Sequence, residues 1–546
     1  MPLKFKFWAR SACLLSAVLA LILFGSGRVV SASGQTPAPP QTGVPAVPPV
    51  GASSASQTGP VTRLSADEAV RMALENNLGI QAERLGPQIN TFTVAQARAA
   101  YAPVLFSNFF NRSSTQPPSS FVTGTATNIL TTETISQDGG LAQNVPWGGG
   151  NYSLSLNGGK VTTSAIDSRY NPQLSSNLSA RYVQPLLRNF KIDAFRQQIM
   201  TSQNNQVIAD IDLRQQVTVT SQAVRNAYFD LIGAVEGHKV AVQSLELAQD
   251  SLKSNRTKVE VGTLAPIDII EAEAEVASNE EAVINAEARI KTVEDRLRYL
   301  ILNPSQPDFW TMRIEPTDAP SMTPIAVDVD AAIANALAQR TDIARLKKQL
   351  DNVDVGIKYA QNQKMPGLDV TANYNVIGVA GTQFQFGQGF PPPIESSSER
   401  AFSSALRDVF GQDFRTWSVA LAFSYPLGTS TADAALAANR LQRQQGAVNL
   451  RDLELQVATG VRDAARQVDT NVKRVEATRK ARDRAERRLE AEQKRMTVGL
   501  STTFQLFQAQ RDLARQRQQE VNAMIDYNRS VIAFEAIQIA PSVGGR

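Results

Sequence analysis

The stretch TKVEVGTLAPIDIIEAEAEVASNEEAV, residues 257–283, decides the fold, because a glycine and a proline interrupt what otherwise reads as a charged amphipathic helix. Gly262 and Pro266 would each end or kink an ordinary helix. The stretch KRMTVGLSTTFQLFQAQRDLARQRQQE, residues 494–520, carries the same break, with Gly499 matching Gly262 at a shift of 499 − 262 = 237 residues. A break repeated in this way predicts two helical hairpins built to one plan.

The rest of the chain repeats as well. DEAVRMALENNLGIQAERL at 67–85 is similar to DAAIANALAQRTDIARLKK at 330–348, and YVQPLL at 182–187 is similar to FSYPLG at 423–428. These repeated signals predict that each half of the chain has the order helix, strands, long helix, break, helix. At a rise of ~1.5 Å per residue the long helices span about 100 Å, which two short helices laid end to end would match. The predicted helices lie at roughly 65–101, 190–260, 264–302, 328–364, 430–497 and 501–538.

The N-terminus has the features of a secretory signal. Basic residues precede the apolar run SACLLSAVLALILF, and Val30-Ser31-Ala32 is an acceptable cleavage site. The only cysteine, Cys13, lies in this segment, so the mature chain is predicted to have no cysteine and no disulfide. The following Pro-, Ser- and Ala-rich linker has too little apolar surface to fold. The expected divisions are the signal peptide at 1–32, the linker at 33–63, a first repeat at 64–302, a second linker at 303–327, a second repeat at 328–540 and a tail at 541–546.

The strands have a period of two. GLDVTANYNV, at 367–376, and RTWSVALAFSY, at 415–425, place large apolar residues on one face and small polar residues on the other. This pattern fits a membrane β-barrel with a lipid-facing outside, and a half-buried soluble sheet has the same period. The export signal favours the barrel. The predicted lipid-facing residues of the second stretch are Trp417, Val419, Leu421, Phe423 and Tyr425.

The composition limits the classes of function. The formal net charge is +4 over 546 residues, with basic and acidic residues interleaved, so nucleic-acid binding is not indicated. His238 is the only histidine, which together with the predicted lack of mature cysteine argues against zinc chemistry and against Cys/His or Ser/His catalysis. We therefore expect a protein that is not an enzyme and that binds no metal and no cofactor.

The duplicated openings, the strand exits and the paired Val-Gly breaks together resemble the TolC-like outer membrane efflux family, over roughly 64–540. The resemblance implies a mainly α-helical fold with membrane β-structure. In this fold three copies form one α/β-barrel, each chain giving four strands to a shared twelve-strand barrel and its long helices to a periplasmic α-barrel. The segment 303–327 would contribute to a belt around the middle of the helices.

The resemblance also implies a function. The expected protein is a passive exit duct of a tripartite efflux or type I secretion system, in the outer membrane of a Gram-negative-type cell. Its expected partners are two further copies of itself, outer membrane lipid, a periplasmic adaptor and an inner-membrane pump of the RND or ABC type. The alternative is a periplasmic coiled-coil scaffold or adaptor without a membrane barrel, which would share the signal peptide and the heptad spacing of apolar residues in the long helices, such as Val461, Val468 and Val475.

By the same resemblance, each Val-Gly break lies at a periplasmic tip where a long helix turns back. The glycines can adopt the positive φ that a helix C-cap needs. In the family these tips contact the adaptor, whereas an ordinary helical hairpin would have no partner. The expected docking residues are Val261, Gly262, Thr263, Leu264, Val498, Gly499, Leu500 and Ser501.

The expected entrance departs from the family pattern. The family has acidic residues six and nine positions after the second glycine, where this chain has Gln505 and Gln508. The first repeat has Asp268 and Glu271 at the equivalent positions. We expect these carboxylates to line or adjoin the entrance and the glutamines to form a neutral ring. Alternatively, the carboxylates simply begin a solvated helix, where negative charge suits the helix dipole.

The first half is longer than the second between its strand landmarks. Pro103 and Pro185 are 82 positions apart, whereas Pro366 and Pro426 are 60 apart. The extra residues include GGLAQNVPWGGGNYSLSLNGGK, which predicts an additional hairpin. This hairpin would be an extracellular loop, a plug facing the lumen, or part of a rearranged strand order.

Overall fold

The computed structural model describes residues 61–117, 129–307, 309–319, 325–389 and 393–541. The predicted signal peptide, the linker up to residue 60 and the tail from residue 542 lie outside the described residues. Residue 308 and residues 320–324 of the predicted second linker do so as well.

The described helices and strands follow the predicted duplication. The two longest helices have 67 residues each, and each is followed by a helix of 35 residues. The helices are α1 (Ala66–Asn76), α2 (Leu78–Ala99), α3 (Ala194–Glu260), α4 (Ile267–Ile301), α5 (Val329–Gln339), α6 (Thr341–Gln363), α7 (Phe402–Gly411), α8 (Thr431–Thr497) and α9 (Thr503–Ile537). The strands are β1 (Val61–Leu64), β2 (Val104–Gln116), β3 (Leu130–Asn144), β4 (Asn151–Thr163), β5 (Tyr170–Pro185), β6 (Arg313–Pro316), β7 (Gly367–Phe386), β8 (Ile394–Arg400) and β9 (Arg415–Ser424).

The chain forms two compact units. Of the described residues, those within 101–191 and 365–425 form the strand unit, and those within 61–100, 192–364 and 426–541 form the helical unit. In the helical unit α2 and α4 both pack on α3, while α6 and α9 lie between α3 and α8. Two short helices thus accompany each long one, as predicted. None of the described helices combines the length and the hydropathy that crossing a membrane requires.

The opening helix of each repeat is divided, which corrects the prediction of continuous helices at 65–101 and 328–364. Asn77 has an extended backbone between α1 and α2, and its side-chain oxygen accepts a hydrogen bond from the Ile80 N–H at 3.2 Å. Arg340 is likewise extended between α5 and α6, and its guanidinium donates to the Ile537 carbonyl at 3.0 Å and to Asp342 at 2.7 Å. Each break is therefore held by a side chain rather than by a change in the apolar pattern.

A small parallel sheet joins the start of the described chain to the second linker. β1 pairs with β6, and both pack on the core formed by α1, α3 and α4. Tyr228 of α3 is fully buried there and donates a hydrogen bond to the Leu64 carbonyl at 3.0 Å. It also contacts the Asp318 carboxylate at 2.9 Å, and burial raises the pKa of Tyr228 to about 12. The sequence analysis did not predict this strand pair.

The strand unit is one antiparallel sheet in the order β2-β3-β4-β5-β7-β8, with β9 also paired to β7. β9 pairs with the first half of β7 and β8 with the second half. β8 and β9 are therefore two parts of one strand, interrupted by α7. The sheet contains more strands than the four that each chain is expected to give to a barrel, because the extra segment of the first half forms the hairpin β3–β4, which is inserted between β2 and β5.

Helix α7 lies against one face of this sheet. A Cβ atom at Gly378 would lie 1.9 Å from the Ala405 carbonyl oxygen, so the close approach of α7 requires glycine there. Asp408 is nearly buried and accepts two hydrogen bonds from Arg400, at 2.9 and 3.0 Å. This ion pair connects α7 to the end of β8.

Candidate functional site: the hairpin tips and the apolar sheet face

The first hairpin tip is a helix C-cap that needs glycine. After α3, Gly262 has φ +73°, as the sequence predicted. The Gly262 N–H donates to the Val259 carbonyl at 2.9 Å, and the Thr263 N–H donates to the Lys258 carbonyl at 2.8 Å. These two bonds are those of a Schellman motif. A Cβ atom at Gly262 would meet nothing within 4 Å, so the backbone conformation and not crowding requires glycine.

The second tip repeats this geometry after α8. Gly499 has φ +75°, and its N–H donates to the Met496 carbonyl at 3.3 Å. The Leu500 N–H donates to the Arg495 carbonyl at 2.9 Å. The two breaks that opened the sequence analysis are therefore the same structural motif in both repeats.

The returning helices begin differently from each other. α4 begins at Ile267, with Pro266 as an N-cap that makes no side-chain hydrogen bond. α9 begins at Thr503 with a capping box, in which Gln505 and Thr502 bond to each other's backbone N–H groups. The two helices start three and two residues later than 264 and 501, the positions predicted from the sequence. Gln505 thus has a local structural role as the third residue of its helix.

The tips of the two repeats are in direct contact. The Thr503 hydroxyl, which is nearly buried, donates to the Asp268 carboxylate at 2.5 Å. On the other side of Asp268, the buried Asn255 amide lies 3.5 Å from its backbone carbonyl. Asp268 is therefore half-buried between two helices and joins the first hairpin to the second. The sequence analysis missed Thr503, because no local pattern marks a contact between residues 235 positions apart.

The other two expected entrance residues face solvent in the single chain. Glu271 and Gln508 are both exposed. The structure therefore gives Asp268 and Gln505 hydrogen-bond partners, and it leaves Gln505, Glu271 and Gln508 exposed.

The tips carry exposed apolar side chains. Val261 and Val498 are each 67% exposed, and Leu500 is 77% exposed. Ile267, Ile270 and Phe504, which the sequence analysis did not single out, are also exposed on the first turns of the returning helices. Exposed apolar groups gathered at two equivalent loops are typical of a surface that binds a protein. Within the part of the chain that the structure describes, no cluster of three or more His, Cys, Asp or Glu residues could hold a metal ion.

The strand unit has one apolar and one polar face. Directly paired residues of neighbouring strands share a face, and Trp417, Val419, Leu421 and Phe423 pair with Tyr374, Ala372, Val370 and Leu368. The four predicted residues of β9 are exposed on this apolar face, whereas Tyr425 lies just beyond the strand. α7 covers only the part of the face around Val376, Gly378 and Ala380.

Duplicated hairpins of 67- and 35-residue helices and an antiparallel sheet with one apolar face agree with the class of outer membrane channels that the sequence resembles. The sequence model of one family, described as outer membrane efflux protein, matches residues 151–301 and 332–537. Because these residues make up more than half of the chain, the chain belongs to the outer membrane efflux protein family, and it is an outer-membrane protein. The comparison with curated proteins found no match.

Solved structures share the fold at low sequence identity. The VceC outer membrane protein of Vibrio cholerae has a TM-score of 0.60 and 14% identity, with 87% of this chain and 96% of that chain covered. The open-state MtrE channel of Neisseria gonorrhoeae has a TM-score of 0.57 and 16% identity, covering 87% and 88%. The CmeC outer membrane channel of Campylobacter jejuni has a TM-score of 0.58 and 14% identity, covering 87% and 85%. The resemblance to TolC-like proteins found in the sequence is confirmed at the level of fold.

Proposed function

We propose that this chain is one of three identical subunits of an outer-membrane exit duct. The duct passively conducts substrates to the exterior from a periplasmic adaptor and an inner-membrane pump of the RND or ABC type, without catalysis and without a cofactor. The observation that carries this proposal is membership of the outer membrane efflux protein family over both repeats. The likeness of fold to the outer membrane channels CmeC and MtrE supports it.

Two exposed apolar stripes support assembly of the chain with copies of itself. α2 and α8 lie at opposite edges of the helical unit, because α2 packs on α3, α3 on α6, and α6 on α8. Each edge has three exposed apolar residues at seven-residue spacing, which is the spacing of a coiled-coil seam. The α2 stripe is Leu78, Leu85 and Phe92, and the α8 stripe is Leu441, Val448 and Leu455.

The two stripes also match in register. α2 and α6 both run antiparallel to α3, and α6 runs antiparallel to α8, so α2 and α8 have opposite directions. In an antiparallel pair of copies, Phe92 meets Leu441 while Leu85 meets Val448. The same register brings Leu78 to Leu455. One alignment thus buries all six residues, and a ring of copies closes when each α8 meets the next α2.

The apolar sheet face supports contact with outer membrane lipid. Trp417, Leu421 and Phe423 are each more than 60% exposed in the single chain. Removing such groups from water stabilises by ~25 cal/mol per Å² of apolar surface. Lipid tails around the strand unit would provide this environment.

The tips are the proposed contact with the adaptor and the proposed entrance. Val261, Val498 and Leu500 offer apolar groups to a partner at two equivalent turns of each chain. Glu271, which is exposed near the tip, is the proposed charge at the entrance. Asp268 acts in this proposal through its bond to Thr503, which holds the two tips of one chain together.

The test is single-channel conductance of detergent-extracted protein in planar bilayers. We expect the protein to insert, and we expect multivalent cations to block the current. Glu271→Gln should weaken this block several-fold, because it removes one negative charge per chain at the entrance. Thr503→Val should instead raise the open fraction, because it removes the bond between the tips.

Glu280→Gln is the matched control, since Glu280 is exposed on the same helix further from the tip. If Glu271→Gln and Glu280→Gln behave alike, Glu271 does not lie at the entrance although the duct assignment stands. If the protein dissolves without detergent and never conducts, the periplasmic scaffold without a membrane barrel becomes the better assignment.

A further inference from the structure

We propose that the β3–β4 hairpin belongs to the channel wall and that the free edges of β2 and β9 pair between neighbouring copies. Three copies then close a barrel of eighteen strands, where the family resemblance implies twelve. This inference rests on the trimer of the proposed function. The partner of each free edge is a second copy of this chain.

The hairpin is paired along its whole length to the strands on both sides. β2 pairs with β3 from Val104↔Ala142 to Gln116↔Leu130. β3 and β4 pair over thirteen positions, and β4 pairs with β5 over eleven. These ladders contain no register shift. A loop or a plug would leave the sheet, whereas this hairpin continues it.

The hairpin also has the same two faces as the rest of the sheet. Leu156 pairs with Leu178, which pairs with Val376, so the apolar face of β7 continues across β5 and β4. On the other face Asp138 pairs with Asn157, and Asn157 pairs with Asn177. The two faces of the inserted strand β4 therefore continue those of β5 and β7, as a membrane barrel wall requires.

The two edges of the sheet suit each other. Among the described strands, β2 pairs only with β3 and β9 pairs only with β7, so each has one row of backbone groups without a partner strand there. With β8 and β9 counted as one, six strands alternate in direction. β2 and β9 therefore have opposite directions, and each β9 can form an antiparallel ladder with β2 of the next copy. An identical contact repeated around a ring leaves no edge free.

The register between β9 of one copy and β2 of the next follows from the ends of the two strands. Setting Ser424, the last residue of β9, opposite Val104, the first residue of β2, brings all ten β9 residues against β2. The faces then agree, because Phe423 meets Leu105 on the apolar face. A register displaced by one residue would place apolar groups opposite polar ones.

The strand tilt of a closed eighteen-strand barrel also agrees with that of known transmembrane barrels. Within one chain the ladder leads from Val104 through Ala142, Ser153, Arg181 and Asn373 to Ser418. Ser418 is six residues from Ser424, so each copy contributes a stagger of six residues. With ~3.3 Å per residue and ~4.8 Å between strands, this stagger gives a strand tilt of about 35°. Transmembrane barrels tilt by about 35–45°.

The consequence is a wide lumen. Because barrel diameter grows roughly linearly with strand number, eighteen strands give a bore about one and a half times that of twelve. Barrels of this size enclose an aqueous channel. The sheet would then not limit what passes, and bulky hydrated solutes would be selected at the hairpin tips.

The first experiment is cross-linking between copies. Because the mature chain is predicted to have no cysteine, the introduced thiols would be the only ones that react. In the proposed register Asn108 lies opposite Ala420 of the next copy, on the polar face. Asn108→Cys with Ala420→Cys should give covalent dimers and trimers with a short thiol cross-linker. Asn108→Cys with Leu421→Cys is the control, since these residues lie on opposite faces and should cross-link at least ten-fold less.

The outcomes separate the two proposals. A trimer seen by native mass spectrometry without cross-linking at Asn108 and Ala420 overturns the edge pairing and leaves the exit duct intact. A monomer in mild detergent overturns the proposed trimer itself.

The second experiment tests the place of the hairpin. In lipid vesicles, Ser155→Cys should react with a water-soluble maleimide, whereas Leu154→Cys on the apolar face should be protected at least ten-fold. Ala420→Cys and Leu421→Cys on β9 give the reference contrast between the two faces. Equal reaction at residues 154 and 155 would place the hairpin outside the wall and restore a twelve-strand barrel.

Discussion

At the scale of single residues, the two tip glycines and their neighbours perform separate tasks. Gly262 and Gly499 supply a positive φ that lets each long helix end and the chain reverse. Asp268 and Thr503 then connect the two reversals to each other. The turn at each glycine thus depends on local sequence and occurs in both repeats. The contact between the two turns depends instead on Asp268 and Thr503 alone.

We predict that Gly262→Ala and Gly499→Ala each destabilise the helical unit by about 1–2 kcal/mol, since a side chain disfavours the left-handed conformation. Because the space around each Cβ position is open, Gly262→Asn should lose less stability than Gly262→Ala. Urea unfolding in detergent measures these differences. Gly356→Ala, at a glycine inside α6 whose Cβ position meets only ordinary contacts, is the control and should stabilise by up to about 1 kcal/mol. Equal effects at Gly356 and Gly262 would contradict the role of positive φ.

The sequence predicted the tip turns because glycine at a helix end is a local signal. It also placed Asp268 and Glu271 near the turn, but it did not separate their roles. Their difference depends on Thr503, which arrives from the other repeat only when α4 and α9 come together. Side-chain pairings of this kind follow from packing, and neither period nor spacing encodes them.

At the scale of helices, capping residues set the ends that amphipathic patterns leave undefined. Capping boxes begin α1, α8 and α9, at Ser65, Ser430 and Thr502. The backbone N–H of Ser65 lowers the pKa of Glu68 in the first of these. In each box a side-chain oxygen satisfies backbone donors that the first turn of a helix leaves free.

The cap of α8 predicts a dependence of stability on pH. The Lys364 ammonium, at 2.9 Å, and then Ser430 lower the pKa of Asp433 from 3.8 to about 2. Because the folded state lowers this pKa, the contribution of Asp433 is present above pH 4 and is lost as the pH falls from about 4 to about 2. Asp433→Asn should therefore lower the urea midpoint at pH 6 and have little effect near pH 2.

Asp210→Asn, at an exposed position inside α3, is the control for this measurement. It should shift the midpoint little at either pH, since it removes no cap. If Asp433→Asn lowers stability equally at pH 6 and pH 2, the charge of Asp433 is not what stabilises the start of α8.

The sequence therefore predicted where helices form better than it predicted where the opening helix of each repeat is broken into two. The apolar stripe is continuous across Asn77 and Arg340, so the sequence predicted one helix where the structure has two. α7 and the β1–β6 pair were missed for a related reason. They are short, and contacts with distant parts of the chain hold them in place, such as Tyr228 with Leu64 and Ala405 with Gly378.

At the scale of the whole molecule, duplication explains the helical unit better than the strand unit. The helices of the two repeats match in length, whereas the first repeat gives four strands and the second gives one long strand and one interrupted strand. The sequence indicated an extra hairpin from spacing alone. It could not place the hairpin, because strand order depends on pairing between distant segments.

The edge stripes of the helical unit give the last prediction. Val448→Glu places a carboxylate opposite Leu85 of the next copy, and burying an unpaired charge costs several kcal/mol. We expect each contact between copies to weaken by a factor of about 100 or more, so that native mass spectrometry finds mainly monomers. Circular dichroism should show an unchanged helix content, since Val448 is exposed in the single chain.

Gln442→Glu is the matched control, at an exposed position of α8 about a third of a turn from the stripe. It should leave the trimer intact. Register is tested by adding Leu85→Lys to Val448→Glu, because a lysine opposite the glutamate pairs with it and should recover part of the trimer. Phe92→Lys, one heptad away, should not. A trimer that survives Val448→Glu would show that α8 and α2 do not meet between copies, and equal recovery by both lysines would refute the register while keeping the interface.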